Sequence, residues 1–242
     1  MSHHLRRTLL PVLCATAALG LAACSSGGAS TAAAGSGGAA SAAASSAAAG
    51  DKPLAGTALK SLLLPASAVP AHLAADPSGS RSTGADLYAP SSAPVSAAKA
   101  CQSLDASSWI SAAGIGSASF AQNDYDDSSG DMFAQEIDGF QGGDAKAVMA
   151  QLKAVFTKCA SFKVKQDGAT YTAKLSQKKL SGLGDDAVQA VITSSSWDGG
   201  ETLVAVRVGQ HVVTTMYNDQ KTTGSAVVPL AGRLVARVEA AH

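Results

Sequence analysis

Aromatic side chains are scarce in this chain, 5% of its 242 residues, and none precedes Tyr88. Aromatics supply much of the area a core buries, so the N-terminal third is excluded as a core and the fold is expected further on. Charge is sparse as well, at 15%, and balanced at 18 basic and 18 acidic residues. No long basic run occurs, which argues against a nucleic-acid surface. The longest apolar stretch near the start, from Leu9 to Ala23, falls short of the roughly 20 residues a membrane-spanning helix needs. Histidine is rare: beyond the first few residues only His72, His211 and His242 occur, with no second histidine at helical spacing and no His-Glu-x-x-His pattern. No metal centre and no cofactor is therefore expected. Phosphate-binding Gly-x-x-x-x-Gly-Lys and the Gly-x-Ser-x-Gly elbow are both missing. Ser-x-x-Lys occurs at Ser96/Lys99 and Ser176/Lys179, and Lys221-Thr222-Thr223-Gly224 approximates a Lys-Thr-Gly element, but Ser-Asp-Asn is absent. In a serine-rich chain such hits carry little weight, so no catalytic residue is assigned and the chain is not expected to be an enzyme.

What is present is a leader. Arg6 and Arg7 form a basic start, Thr8 to Ala18 is mostly apolar, and Leu21-Ala22-Ala23-Cys24 reads as a lipobox. The expectation is export, cleavage before Cys24, and lipid on that cysteine. Lipid chains anchor through roughly 0.8 kcal/mol per buried methylene, and more than one chain holds stably. From Ser25 to about Gly50 the chain is almost entirely Ala, Ser and Gly, which cannot bury enough apolar surface to order itself. As a flexible tether of about 30 residues it has an rms reach of roughly 30 Å. The organisation read from this is 1–23 signal peptide, 24–56 lipidated Cys24 and tether, and 57–242 one domain, large enough for a real core. The expected place is the outer, extracytoplasmic face of the cell membrane, held by the lipid anchor. Arg6 and Arg7 leave with the leader, so 16 basic residues face 18 acidic ones and charge names no partner.

Cysteine says more. Cys14 lies in the leader and Cys24 is the lipid site, leaving Cys101 and Cys159. An oxidising compartment makes a disulfide between them the expectation, two buried free thiols being the alternative. Closing a loop of about 58 residues contributes roughly 4 kcal/mol by chain entropy, an account whose mechanism is disputed.

Along the domain, Pro65 to Ala75 reads as a short helix and 76–94, rich in Pro, Ser and Gly, as loop. Ser96 to Ser103 reads as a helix capped by Ser96, and Ala106 to Ala113 as another stopped by Gly114. Ser117 to Gln122 and Met132 to Phe140 read as strands flanking a polar turn, Asn123 to Asp131. Ala145 to Cys159 is the clearest helix, with Asp144 as its cap and Val148, Leu152, Val155, Phe156 and Cys159 on one face. Strands are expected at Thr170 to Ser176, Ala187 to Ser194, Thr202 to Val208 and His211 to Asn218. Asp198-Gly199-Gly200 and Gly209-Gln210 supply hairpin turns. Ala226 to Ala240 closes the chain as a helix, with Pro229 in its first turn. The fold class is α+β: a single domain, mainly antiparallel sheet with helices packed beside it.

Asp124, Asp126 and Ser128 alternate as at the start of a calcium loop, but Ser129 and Gln135 stand where Gly and Glu belong, so a solvated loop is expected. Trp109 and Trp197 are candidates to line a ligand site, with core or hairpin packing the favoured role.

The chain resembles the PknH-like extracellular domain family, found in actinobacterial kinases and related lipoproteins. The residues carrying the resemblance are Leu62-Leu63-Leu64, Cys101, Ala147-Val148-Met149 through Cys159, Leu183-Gly184-Asp185-Asp186-Ala187 and Val206-Arg207-Val208-Gly209, followed by the closing helix. It implies a sheet with helices beside it, a cleft for an extracellular ligand and no catalytic residues. Related kinase sensors commonly carry two disulfides, whereas this chain can form one, and any sensing would need a partner to pass the signal on. Two readings follow. A ligand-binding or sensor-type lipoprotein for a small or lipidic envelope ligand requires an apolar cleft with few polar groups. A module docking on another envelope protein requires an exposed apolar patch.

Overall fold

The structure, a computed structural model, describes residues 52–166 and 168–241. The leader, Cys24, nearly all of the Ala/Ser/Gly segment and His242 lie outside the described residues.

Eight strands form one antiparallel sheet: β1 (Ala74–Ser82), β2 (Ser119–Asp126), β3 (Met132–Gly139), β4 (Ser161–Gln166), β5 (Ala169–Leu180), β6 (Asp186–Ser194), β7 (Gly200–Val208) and β8 (His211–Asp219). Their order is β1-β2-β3-β8-β7-β6-β5-β4. The chain climbs through β1, β2 and β3, then α3 (Asp144–Lys158) carries it to the far edge. Strands β4 to β8 meander back until β8 pairs with β3, Ile137 opposite Val213. This bears out an α+β domain.

The helices divide between the two faces. Helix α2 (Ala97–Ser103), a 3-10 turn at Trp109–Ala113 and α3 cover one face; Trp109, Met149, Leu152 and Phe156 pack there on Ala190, Leu203, Ala205 and Met216. Helix α1 (Gly56–Leu62) and α4 (Val227–Glu239) cover the other; Leu59, Leu230 and Leu234 pack there on Phe133, Ile137, Val204 and Val213. A sheet covered on both sides needs apolar residues at every strand position, and β7, from Leu203 to Val206, is buried without alternation. Fully burying each such side chain contributes roughly 1.5–3 kcal/mol.

Arginines of α4 tie the helical layer of its own face together. Arg237 donates from Nε to the Leu62 carbonyl at 2.6 Å and from a terminal nitrogen to Ser61 at 2.8 Å. These are carbonyls at the end of α1 that have no intrahelical partner. Gln135 on β3 clasps Leu64, accepting from its N–H at 2.8 Å and donating to its carbonyl at 2.9 Å.

Several expectations change. The stretch 76–94 is not all loop: β1 runs to Ser82 along the sheet edge, with the register shifting between Asp76 and Arg81. Pro77 is tolerated because an edge strand has one unpaired side, and Gly79 lies so close to β2 that a Cβ there would sit 2.4 Å from the Asp124 side chain. Pro65 to Ala75 is not one helix: it holds a 3-10 turn at Ala66–Ala68 and the first two residues of β1. The polar turn shrinks, because β2 continues through Asp126. Asp144 is the first residue of α3 rather than its cap, which is Gly143. Strand β4 was not anticipated; Lys163 and Lys165, both exposed, guard this second edge.

The motif Leu183 to Ala187 has a structural role. Gly184 adopts φ +54, and a Cβ there would meet the Arg207 carbonyl at 2.5 Å. Next to it, Asp185 pairs with Arg207 at 2.8 Å and accepts from the Gly209 N–H at 2.8 Å, fixing the β7–β8 hairpin.

Candidate functional site

Cys101 and Cys159 are joined by a disulfide with Cα atoms 5.5 Å apart. It staples the end of α3 to α2, whose first turn is capped by Ser96 accepting from the Lys99 N–H at 3.4 Å. Ser96 is thereby a cap. Ser176 and Lys179 point to opposite sides of β5, as an odd separation in a strand requires. Lys221 and Thr222 donate their N–H groups to the Asp219 carboxylate at 2.8 and 2.9 Å. These serine and lysine motifs thus serve caps, strand faces and turns.

From α2 the chain reaches Leu104, fully buried, then exposed Asp105, then Trp109, fully buried against Phe156 with ring centroids 5.8 Å apart. Between them, Ser107 accepts from Gln122 Nε2 at 2.9 Å and Ser108 donates to Gln122 Oε1 at 2.7 Å. Arg81 on β1 donates to both Ser108 and Gln122, at 2.7 and 2.6 Å. Asp105 is therefore held on a pinned loop.

That loop forms one wall of a cleft of about 430 Å³, whose lining includes Asp105, Tyr171, Trp197, Asp198, Asn218 and Asp219. The β6–β7 hairpin supplies Trp197 and Asp198, and the ends of β5 and β8 supply Tyr171 and Asn218. Glu201 lies directly opposite Asn218 in the sheet, so the pleat sends both side chains to the same face. Glu201 is 2% exposed and meets the Asp105 carboxyl. Burial, and then the Asp105 charge, push the Glu201 acid well above the usual carboxylate range. Burial also raises Asp105, opposed by the hydrogen bond it takes from Glu201.

A second buried acid group lies further along the same face. Gln122 donates to Asp124 at 2.7 Å, and Glu136 and Asp138 follow on β3. Burial pushes Asp138 up to about 7, with Ser117 opposing. Burial and the Asp138 charge raise Glu136 well above its ordinary value.

A shallower groove of about 390 Å³ runs beside the disulfide, lined mainly by small apolar residues such as Val95, Ala97, Ala113, Ile115 and Val155, with Lys158 at its rim. The expected apolar concavity thus lies here, whereas the larger cleft is polar.

His72, Asp127 and Asp131 bring ligand atoms within 4.8 Å of one another, a grouping the sequence did not suggest. His72 Nε2 is 3.4 Å from Asp131 and 3.3 Å from the Tyr217 hydroxyl. Burial and the Asp131 charge raise that hydroxyl to about 12. One oxygen of each carboxylate is already engaged: Asp131 accepts from the Gln220 N–H at 2.7 Å and Asp127 from the Ser129 N–H at 2.8 Å. His211 Nε2 accepts from the Leu54 N–H at 3.1 Å. Asp124 and Asp126 lie within β2, not on a loop with Ser128, which removes the calcium-loop geometry. Trp109 is core, while Trp197 lines the cleft. Asp105, Tyr171, Glu201 and Asn218 were not singled out from the sequence; the signal available was a glutamate opening a mostly apolar strand beside a Gly-Gly turn.

Among known proteins, no family model matches the chain, and no curated protein matches it. Among solved structures, the extracellular domain of PknH from Mycobacterium tuberculosis is similar, with a TM-score of 0.53 at 17% identity, covering 79% of this chain and 100% of that one. The likeness is one of fold. Among the described residues no helix is long and apolar enough to cross a membrane.

Proposed function

We propose that the chain is an extracytoplasmic lipoprotein, tethered through Cys24, whose folded domain is a ligand-binding or sensor-type module and whose binding site is the cleft between the Asp105 loop and the β6–β7 hairpin. The observation that carries this is the convergence of two rings and several polar groups on one concavity walled by a pinned loop, with a buried carboxyl behind it. Preformed pockets with a few placed polar groups are where small ligands bind. The resemblance of the sequence to PknH-like extracellular domains, and the fold likeness to one of them, favour the same reading. The polar lining fits a small ligand better than a lipid. A lipidic ligand has a separate place to sit, the apolar groove beside the disulfide. Docking on another envelope protein is less favoured, because the large apolar side chains that are exposed among the described residues are two neighbours, Leu87 and Tyr88.

Native mass spectrometry of the chain purified from its own envelope tests this. A retained small molecule, lost from a Trp197→Ala variant that keeps its fold, is the expected result. A ligand retained equally by the variant places binding elsewhere, and a bare mass from every preparation counts against a ligand site.

A further inference from the structure

Resting on the reading of that cleft as the binding site, we infer that its ligand carries an organic cation, an ammonium or guanidinium, set on Asp105 and Asp198 with its body against Trp197 and Tyr171, and with the buried Glu201 carboxyl behind Asp105. Three independent observations lead there. First, the lining includes three carboxylates, Asp105, Asp198 and Asp219, and no Lys or Arg. Asp219 is committed to its own turn, accepting from Lys221 and Thr222, which leaves Asp105 and Asp198 facing the space.

Second, Glu201 is buried yet its Oε1 receives no hydrogen bond from a donor group of the protein. Its neighbour is another acid. Two other carboxylates beside this sheet meet cations, Asp185 with Arg207 at 2.8 Å and Asp186 with Lys153 at 2.6 Å, whereas buried Glu136 and Asp138 each keep an oxygen without a donor, as Glu201 does. Lys165 shares with Asp105 the wall of an adjoining cavity, but no ion pair joins them among the described residues. Two carboxyls facing each other hold one proton between them; a bound cation lets both ionise and offsets the cost of burying their charge.

Third, the aromatic walls suit the same chemistry. An ammonium or guanidinium over a Trp or Tyr face gains about 0.5–2 kcal/mol, the larger value when desolvated. A bare metal ion is disfavoured, since the grouping whose ligand atoms converge within 4.8 Å among the described residues is His72, Asp127 and Asp131, not the cleft carboxyls.

The test is a pair of probes of the same shape, benzylamine and benzyl alcohol, titrated into the full chain in detergent while tryptophan fluorescence is followed. Benzylamine is expected to saturate at least tenfold more tightly, which is about 1.4 kcal/mol. Asp105→Asn is expected to weaken benzylamine at least fivefold and leave benzyl alcohol unchanged, and Trp197→Leu to weaken both. Glu201→Gln is expected to behave like Asp105→Asn; because Asp105 is exposed, its variant decides the matter if Glu201→Gln misfolds. Equal binding of the two probes, indifference of benzylamine to Asp105→Asn, or no saturable response to benzylamine overturns the inference. A neutral or anionic molecule retained in native mass spectra and lost with Trp197→Ala overturns it too, while leaving the cleft as the binding site.

Discussion

Asp138 shows how a single buried acid sets the behaviour of the domain. Its acid is held up to about 7 by burial, whereas in the unfolded chain it ionises near 4. Between those values the folded state binds the extra proton, so the stability it contributes is full below about pH 4 and is lost as pH rises through 7. Glu136 and Glu201, also raised by burial, act in the same direction. The urea midpoint is therefore expected to be higher at pH 5 than at pH 8. Asp138→Asn should flatten that difference by an amount on the order of a few kcal/mol, since each tenfold change in acidity is worth about 1.4 kcal/mol. A pH profile unchanged in the variant contradicts this. None of these acids was legible in the sequence as special. Asp105 and Glu201 are separated by about half of the domain's length, and only the return of β7 past the α2 loop brings them together. Cys101 and Cys159 were legible because the expectation of an oxidising compartment, with Cys14 and Cys24 read as leader and lipid site, left few choices.

Among the elements, α3 and α4 and the strands β6 to β8 read clearly from their periodicity and from Gly-containing turns, because local signals and tertiary packing agree there. Strand β1 did not. Its run Pro77-Ser78-Gly79-Ser80 has the composition of a loop and forms the irregular stretch between two segments paired with β2, 74–76 and 81–82, a tertiary effect no local pattern carries. Division of the helices between both faces was likewise hidden, although the unbroken apolar run in β7 was its trace. The disulfide acts at this scale, stapling α2 to α3. Cys101→Ser with Cys159→Ser is expected to lower stability by roughly 4 kcal/mol, measured by denaturant unfolding, and to speed amide exchange in α2 before the central strands open. Equal midpoints with and without the bridge contradict this. At the opposite face, Arg237→Ala leaves carbonyls of Ser61 and Leu62 without their donor and is expected to cost about 1 kcal/mol; an unchanged urea midpoint contradicts that role.

At the scale of the whole molecule, a covered sheet presents a polar cleft, proposed to work at the end of a lipid-fixed segment. Cys24→Ala is expected to move the protein from the membrane fraction to the soluble one, read by fractionation; unchanged partition contradicts lipidation at that residue. The central claim is that the cleft is where this domain meets its ligand. Hydrogen exchange of the full chain, with and without a small-molecule extract of its own cell envelope, tests it most directly. The account predicts slowed exchange in 195–200 and 217–220 and in the loop around Asp105, with the remainder unchanged. Protection confined to the groove residues 92–97 and 112–115, or none anywhere, would contradict it.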